Sequence, residues 1–269
     1  MKRRKQSILR AGSVQFVACH SVLADFARDL ARALGAAPEV RRPVVIHVGA
    51  HLSSRLPGHE DALQIGLQTE QILDATGKEM WFSFDSRRIE GLVSEFDLVL
   101  DLSIHNAPAY RSLPVSDRAR VKFGPHIFPD HPLPTLEPGQ RLLFAGAVNS
   151  RRRSALDDLG SRARVLEDGT FGEAADLALI AAEGMLNLHF VDGVYTEYPR
   201  LLKTVLAGRA LWSEPLAEPF VEGLHYFAPT ARPERAVHDR VQQAMAGMLS
   251  ERYSLRRFLA ALDRDGLAN

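Results

Sequence analysis

Hydrophobic and polar positions follow two rhythms along this chain. Short runs rich in β-branched and aromatic residues read as strands: VQFVA at 14–18, PVVIHVG at 43–49, MWFSF at 80–84, FDLVLDLS at 96–103 and VKFG at 121–124. Between them, SVLADFARDLARALG and EDALQIGLQTEQILDATG carry apolar residues at helical spacing and stop at glycine, so both are predicted to be helices. Beyond residue 140 the pattern predicts strands at 141–146, 163–167, 185–190, 210–214 and 225–229. The matching helices fall at about 151–160, 172–183, 197–208, 232–249 and 253–264. Strands alternating with helices predict an α/β protein with mainly parallel sheets.

The passage GPHIFPDHPLPTLEPGQ, with five prolines and no periodicity, interrupts this alternation. It predicts an N-terminal Rossmann-like domain over 1–124, abbreviated in length, a linker over 125–140 and a second Rossmann-like domain over 141–252. The closing helix, 253–269, is expected to pack back on the first domain. Two such domains would face each other across a cleft. Open parallel sheets bind ligands beyond the carboxyl ends of their strands, so the cleft is the expected ligand site.

Composition narrows the partners. Of 269 residues, 46% are hydrophobic and 25% charged, as in a soluble globular protein. Thirty-three basic residues balance thirty-three acidic ones, so nucleic acid is not an expected partner. Cys19 is the only cysteine, which excludes a disulfide framework and a cysteine-based metal site and points to a cytoplasmic location. No apolar run approaches the ~20 residues that span a bilayer. The basic KRRK at residues 2–5 would allow peripheral membrane attachment, which nothing else in the sequence supports.

The candidate chemistry lies mostly in the second half. After RLLFAG comes AVNSRRRSALDDL, in which Gly146 and Asn149 lead into a helix that opens with Arg151 and Arg152. A glycine turn into a helix N-terminus suits a phosphate, and arginine adds a planar fork for its oxygens; a solvated helix start explains the same residues. Farther on, Glu197, Arg200 and Lys203 stand three apart on one predicted helix face. Glu197 could accept sugar hydroxyls while Arg200 meets a phosphate, or the two could form an internal ion pair.

Three pieces resemble GT-B glycosyltransferases in order and spacing: EFDLVLDLSIHNAPAY…VKFGPHIFP, LLFAGAVNSRRRSAL and GMLNLHFVDGVYTEYPRLLKTVLAGRALWSE. They are similar in particular to small bacterial and viral spore-maturation-type proteins with a glycosyltransferase family 1-like C-terminal domain. The shared pattern falls on Gly146, Asn149, Arg151, Arg152, Asn187, Leu188, His189, Glu197, Arg200, Ala207, Gly208, Ser213 and Glu214. It covers about the last 175 residues, and the first 95 only in outline. The resemblance implies a GT-B-like transferase that moves a sugar from a nucleotide-diphosphate-sugar donor, without a metal or other cofactor. The second domain would hold the donor through Gly146, Asn149, Arg151, Arg152, Glu197, Arg200 and Glu214. The first would contact an acceptor that is a glycan, lipid, small molecule or protein. Lys203 and Thr204 stand where such enzymes often carry a second carboxylate, and the first half is short. Both departures also fit a degenerate scaffold that binds nucleotide, glycan or protein without turnover.

Among the histidines, His51 follows a strand and is the first candidate for a catalytic base, with His126 second. His47 and His189 lie inside strand patterns and read as structural. Gln68, Glu70 and Gln71 crowd onto the apolar helix predicted at 60–77, facing either the cleft or solvent.

Overall fold

The computed structural model describes residues 6–36, 40–80 and 86–264. These divide into two compact units, one formed by the chain up to Asp130 with the segment from Arg252 onward, the other by His131–Glu251. The strand predicted at 80–84 lies, apart from Met80, outside the described residues.

The first unit is built on one six-stranded sheet. Gly12, at φ +59°, turns β1 (Ser7–Ala11) into an antiparallel hairpin with β2 (Val14–Ala18). Then β3 (Val44–Val48), β4 (Leu63–Gln68), β5 (Leu98–Asp101) and β6 (Val121–Phe123) add in sequence order, each parallel to the one before. Helix α1 (Ser21–Leu34) joins β2 to β3, α2 (Ser86–Glu95) precedes β5, and α3 (Val115–Ala119) precedes β6. The closing helix α8 (Leu255–Arg264) belongs to this unit and is pinned to Asp130 by Ser254 Oγ (2.7 Å) and Arg257 Nε (2.7 Å).

The helix predicted over 60–77 is absent: residues 63–68 are a central strand, with no helix after it before α2 among the described residues. Its sequence, LQIGLQ, alternates with period two. Leu67 and Ile65 meet Phe16, Ile46 and Leu100 on one side, which leaves Gln64, Gly66 and Gln68 on the other. Both glutamines are buried, so they mimic the apolar spacing of a helix while serving the sheet. Gln64 explains why the β3–β4 connection, 49–62, needs no α-helix. Its Oε1 accepts from Leu56 N–H (2.9 Å) and from His47 Nε2 (3.0 Å), and its amide donates to the His59 carbonyl (3.2 Å). One side chain thus satisfies loop backbone that a helix would satisfy internally. Gly66 is obligatory because a Cβ there would run into the Phe96 ring.

Asp101 ends β5 inside the core. Ser103 N–H (2.9 Å), Asn106 Nδ2 (3.0 Å) and Tyr110 OH (2.8 Å) all donate to its carboxylate, and Asn106 in turn accepts from Ile72 and Leu73 N–H. Burial outweighs these donors and pushes the Asp101 carboxyl up to about 7.

The second unit carries β7 (Leu142–Phe144), β8 (Ala163–Val165), β9 (Gly184–Asn187) and β10 (Ala210–Ser213), all parallel, in the spatial order β10-β9-β7-β8. Its helices are α4 (Ser150–Leu159), α5 (Glu173–Ile180), α6 (Tyr198–Leu206) and α7 (Arg235–Arg252). The strand predicted at 225–229 reduces to isolated bridges, Trp212 with Phe227 and Glu222 with Tyr226. Trp212, Phe144, Leu142, Leu186 and Leu188 form the centre of the core. Much of the proline-rich passage is tied to this unit. Arg209 donates to the carbonyls of Leu136 (3.0 Å), Glu137 (2.6 Å) and Ile180, and Gly139 N–H bonds Ala182.

A carboxyl whose folded pKa is raised binds its proton more tightly in the folded chain, so Asp101 contributes full stability below the ordinary value of 3.8 and loses it as pH climbs through about 7. Urea denaturation between pH 4 and pH 8 should show this decline, on the order of 4 kcal/mol over the interval. Asp101→Asn, which stays neutral, should flatten it; an unchanged slope would show that the proton sits elsewhere.

Candidate functional site

Strand order locates the site in the second unit. The chain leaves β7 for β8 on one side, then crosses to β9 on the other, so the winding reverses between β7 and β9. At such a point the loops leaving adjacent strands diverge and open a crevice at their carboxyl ends. Among β2 to β6 of the first unit no such reversal occurs.

Residues 145–149 leave β7 and residues 188–197 leave β9, and two guanidinium groups fill the space where they part. Arg200 donates from Nε to the Ala145 carbonyl (3.0 Å) and from Nη1 to Asn187 Oδ1 (2.8 Å), Leu188 O (3.3 Å) and Glu197. Arg152 donates to the carbonyls of Leu188 (2.9 Å) and Ala147 (2.8 Å) and to Glu197 Oε1 (2.9 Å). Glu197, the residue before α6, therefore holds Arg152 with one oxygen and Arg200 with the other. The Phe144 ring lies under both guanidiniums, 5.3 Å from each. Gly146 is required here: at φ +143°, a Cβ would stand 2.5 Å from Arg200 Nη2. Asn149 caps α4 by accepting from Arg152 N–H (2.9 Å) and donates to the Phe190 carbonyl (2.6 Å), fastening the two loops together.

A second ion cluster adjoins the first. Arg151 makes a two-pronged contact with Glu214, at 2.9 and 2.5 Å, and also donates to the His189 carbonyl and Asp192. Glu214 accepts from His189 N–H as well (2.5 Å). Burial works to raise the Glu214 carboxyl, yet these hydrogen bonds and the Arg151 charge hold it below its usual range. His189 Nδ1 faces the Gly193 carbonyl at 3.0 Å, so Nδ1 carries the proton, and the ring stacks on Tyr195 with centroids 4.1 Å apart. Burial first, aided by Arg151 and Arg200, pulls the imidazole down to about 4. Its Nε2 is buried with no partner among the described residues. Burial and then Arg152 likewise draw Arg200 down to about 9.

The structure thus brings Gly146, Asn149, Arg151, Arg152, Glu197, Arg200 and Glu214 together at one place. The charged helix face expected at Glu197, Arg200 and Lys203 does not form. Glu197 precedes the helix and turns back to pair with Arg200, while Lys203 pairs with Asp176 of α5 at 3.4 Å. The internal ion pair, one of the two expected explanations, is present, and Arg152 joins it. His189 reads as structural from its strand setting, and only its place in the shared Asn187-Leu188-His189 pattern signals that its ring lies among these charges.

The two histidines proposed as bases lie in the first unit. His51 sits in a 3-10 turn just beyond β3 with Nδ1 3.2 Å from Gln68 Oε1 and Nε2 3.9 Å from Glu70 Oε1. Gln68 Oε1 also accepts from Thr69 N–H, so His51 Nδ1 is the donor. Burial lowers its pKa against the opposing pull of Glu70. His126 is packed instead: it stacks on Phe258 at 4.9 Å and meets Tyr253 edge-on at 5.5 Å. Among the described residues no cluster of three or more His, Cys, Asp or Glu forms that would hold a metal ion, and no helix is long and apolar enough to cross a membrane.

No protein-family model matches the chain, and no curated protein matches it. Among solved structures, it is similar to HepE of Anabaena in complex with UDP-glucose: 9% identity over 82% of this chain and 78% of that one, TM-score 0.47. It is also similar to a TarM mutant of S. aureus in complex with fondaparinux, alpha-GlcNAc-glycerol and UDP: 9% identity over 84% of this chain, TM-score 0.46. The chain spans about 55% of that protein's length. Similarity at this level carries no argument about ligand or reaction.

Two outcomes follow from the geometry. Glu197→Gln removes the one carboxylate shared by two largely buried guanidiniums and should destabilise the second unit by about 3–5 kcal/mol, read by urea denaturation with Trp212 fluorescence in a Trp81→Phe background. His189, whose folded pKa lies below its ordinary 6.5, contributes stability that is complete above that value and lost as pH falls toward about 4. His189→Asn should remove about 2 kcal/mol of that acid sensitivity, checked by the same denaturation at pH 4.5 and pH 7.

Proposed function

We propose that the second unit binds the diphosphate of a nucleotide sugar and that the protein is a glycosyltransferase acting on a hydroxylated acceptor. The observation that carries this reading is the meeting of Arg151, Arg152 and Arg200 at the carboxyl ends of β7 and β9, where Gly146 makes room for the Arg200 guanidinium. Arg152 and Arg200 share a single carboxylate, so a diphosphate entering beside them would relieve their mutual repulsion. The sugar-transfer part rests on the resemblance of the ordered segments around Asn149, Asn187 and Glu197 to GT-B enzymes. On that reading the two units are the acceptor-side and donor-side domains. Electrostatic stabilisation of the leaving diphosphate would come from arginine, without a metal.

In this scheme Glu197 first orients Arg152 and Arg200, and a donor hydroxyl would compete for its oxygens. Glu214 orients Arg151 and, through His189 N–H, the loop after β9. His51, with Nδ1 fixed on Gln68 and a carboxylate near Nε2, is the better placed of the two histidines to take a proton from an acceptor hydroxyl. The competing reading, a scaffold that binds nucleotide without turnover, is favoured by one observation: Lys203, where a ligand-binding carboxylate would be expected, is paired with Asp176.

Thermal shift with a panel of nucleoside diphosphates and nucleotide sugars tests the proposal, since a ligand bound only by the folded chain raises the melting temperature. A selective rise is expected, with affinity falling tenfold or more in Arg151→Ala. Arg151 is the informative position because Arg200 anchors both loops, and its removal would lower stability and binding together. Absence of any shift across the panel would refute the donor site. Binding without donor hydrolysis or transfer would select the scaffold.

A further inference from the structure

Among the described residues, one edge of the first sheet is uncovered. Strand β1 pairs with β2 on one side only, and Ser7, Ile8, Leu9 and Arg10 are all exposed. The other sheet edges leave less backbone free: β6 and β8 are three residues long, and Phe227 bonds Leu211 and Ser213 along β10. An open strand offers its peptide groups to a further strand, and natural edges are commonly blunted by proline, a bulge or charge. Strand β1 has no proline and no bulge. Its single charge, Arg10, stands beside Ile8 (49% exposed) and Leu9 (38% exposed), which lie on opposite faces.

The register fixes which groups face outward. Gly12 and Ser13 form a two-residue turn, so Ala11 and Val14 are a hydrogen-bonded pair, as are Leu9 with Phe16 and Ser7 with Ala18. The bond from Val44 N–H to the Ser13 carbonyl (3.1 Å) agrees with this, since it directs Ser13, and with it Gln15 and Val17, toward β3. Val14, Phe16 and Ala18 are left for β1. Ile8 and Arg10 therefore aim their N–H and C=O groups at the open edge, and neither residue has a hydrogen bond there among the described residues.

These groups are complementary to themselves. With a second copy of β1 set antiparallel, Ile8 of each opposite Arg10 of the other, every outward N–H and C=O is satisfied, and Leu9 meets its own copy on the two-fold axis as a non-hydrogen-bonded pair. Leu9 shares a face with Phe16, which packs with Leu30 of α1, so apolar surface surrounds the axis. On the opposite face the aliphatic stem of Arg10 covers Ile8 of the other copy. Centring the pair on Arg10 would set two guanidiniums face to face, and centring it on Ile8 would leave Arg10 beyond the end of the other strand. We infer that β1 is a homodimer interface through which two copies of the chain join their six-stranded sheets into one continuous sheet. A five-residue junction is small beside a standard interface, so the association is reversible. This inference is independent of the donor site.

Sedimentation velocity on the full chain over a concentration series tests it, with a monomer–dimer equilibrium expected. Ile8→Pro removes an outward N–H and no bond to β2, a position where edge strands accept proline, so dimerisation should weaken tenfold or more while the denaturation midpoint stays near that of the parent chain. Leu9→Lys, which sets like charges on the axis, should weaken it as much. Cross-linking reads the register directly. In a Cys19→Ser background, Leu9→Cys should give a disulfide-linked dimer on mild oxidation, because directly opposed non-hydrogen-bonded residues stand about 4.5 Å apart at Cα. Ile8→Cys, two residues out of step with its own copy, should not. A monomer at every concentration would leave the edge to a strand of another protein and overturn the inference. A dimer indifferent to Ile8→Pro and Leu9→Lys, or equal cross-linking by Ile8→Cys, would overturn it as well.

Discussion

Two guanidinium groups held by one carboxylate organise the second unit. Arg152 comes from the helix after β7 and Arg200 from the helix after β9, and Glu197 lies between them. Largely removed from water, neither cation is tolerable without compensation, and one carboxylate is insufficient for both. Backbone carbonyls at 145, 147 and 188 supply the remaining acceptors, and this fixes the paths of both loops. Gly146 then becomes obligatory because Arg200 lies where a side chain would be, and Asn187 is held by Arg200 on one side and Ser213 on the other. The site is a consequence of satisfying buried charge at the place where the strand order reverses.

The same constraint, applied to neutral groups, shapes the first unit. One face of its central strands presents His47, Gln64, Gln68 and Asp101 to the interior, all buried. Each bonds loop backbone or a neighbouring side chain through at least one atom, so loops share the covering of that face with α2. A gap beside α2 and the exposed turn that carries His51 both follow from this choice. A uniformly apolar face would instead have needed a helix between β3 and β4 to cover it.

The sequence was most legible where periodicity and chemistry agreed. Helix α1 matches its prediction to within a residue, and β2, β3, β5, β7 and β10 fall inside the predicted runs, because apolar spacing there has a single interpretation. Residues 60–77 misled because Gln64 and Gln68 are buried. Treating them as polar surface left Ile65, Leu67, Ile72 and Leu73 at helical spacing, although Leu63, Ile65 and Leu67 already spelled a strand. The site residues gathered in the second half were legible as a set, since glycine, asparagine and arginine follow a strand in AGAVNSRR and a glutamate and arginine precede a second helix core in TEYPR. Their partners were not. Nothing local reveals that Glu197 serves Arg152 from 45 positions away, or that Glu214 serves Arg151 from 63. Such pairings are properties of the sheet order.

Whether the arginine cluster is only a structural brace turns on its charge balance. A brace would be expected to close on itself, each cation matched by a buried anion. Here Arg151 has Glu214 and Asp192, but Asp192 is 85% exposed, and its charge is largely screened by water. Among the described residues Arg152 and Arg200 pair with Glu197, with Glu214 acting on Arg152 from farther off, and burial first, then Arg152, draws Arg200 down to about 9. The inner part of the cluster therefore sets two cations against one paired carboxylate next to Gly146, whose missing side chain makes room for the Arg200 guanidinium. On the proposed reading an anionic ligand would supply the missing charge, and a diphosphate has the charge and the acceptor oxygens to do so.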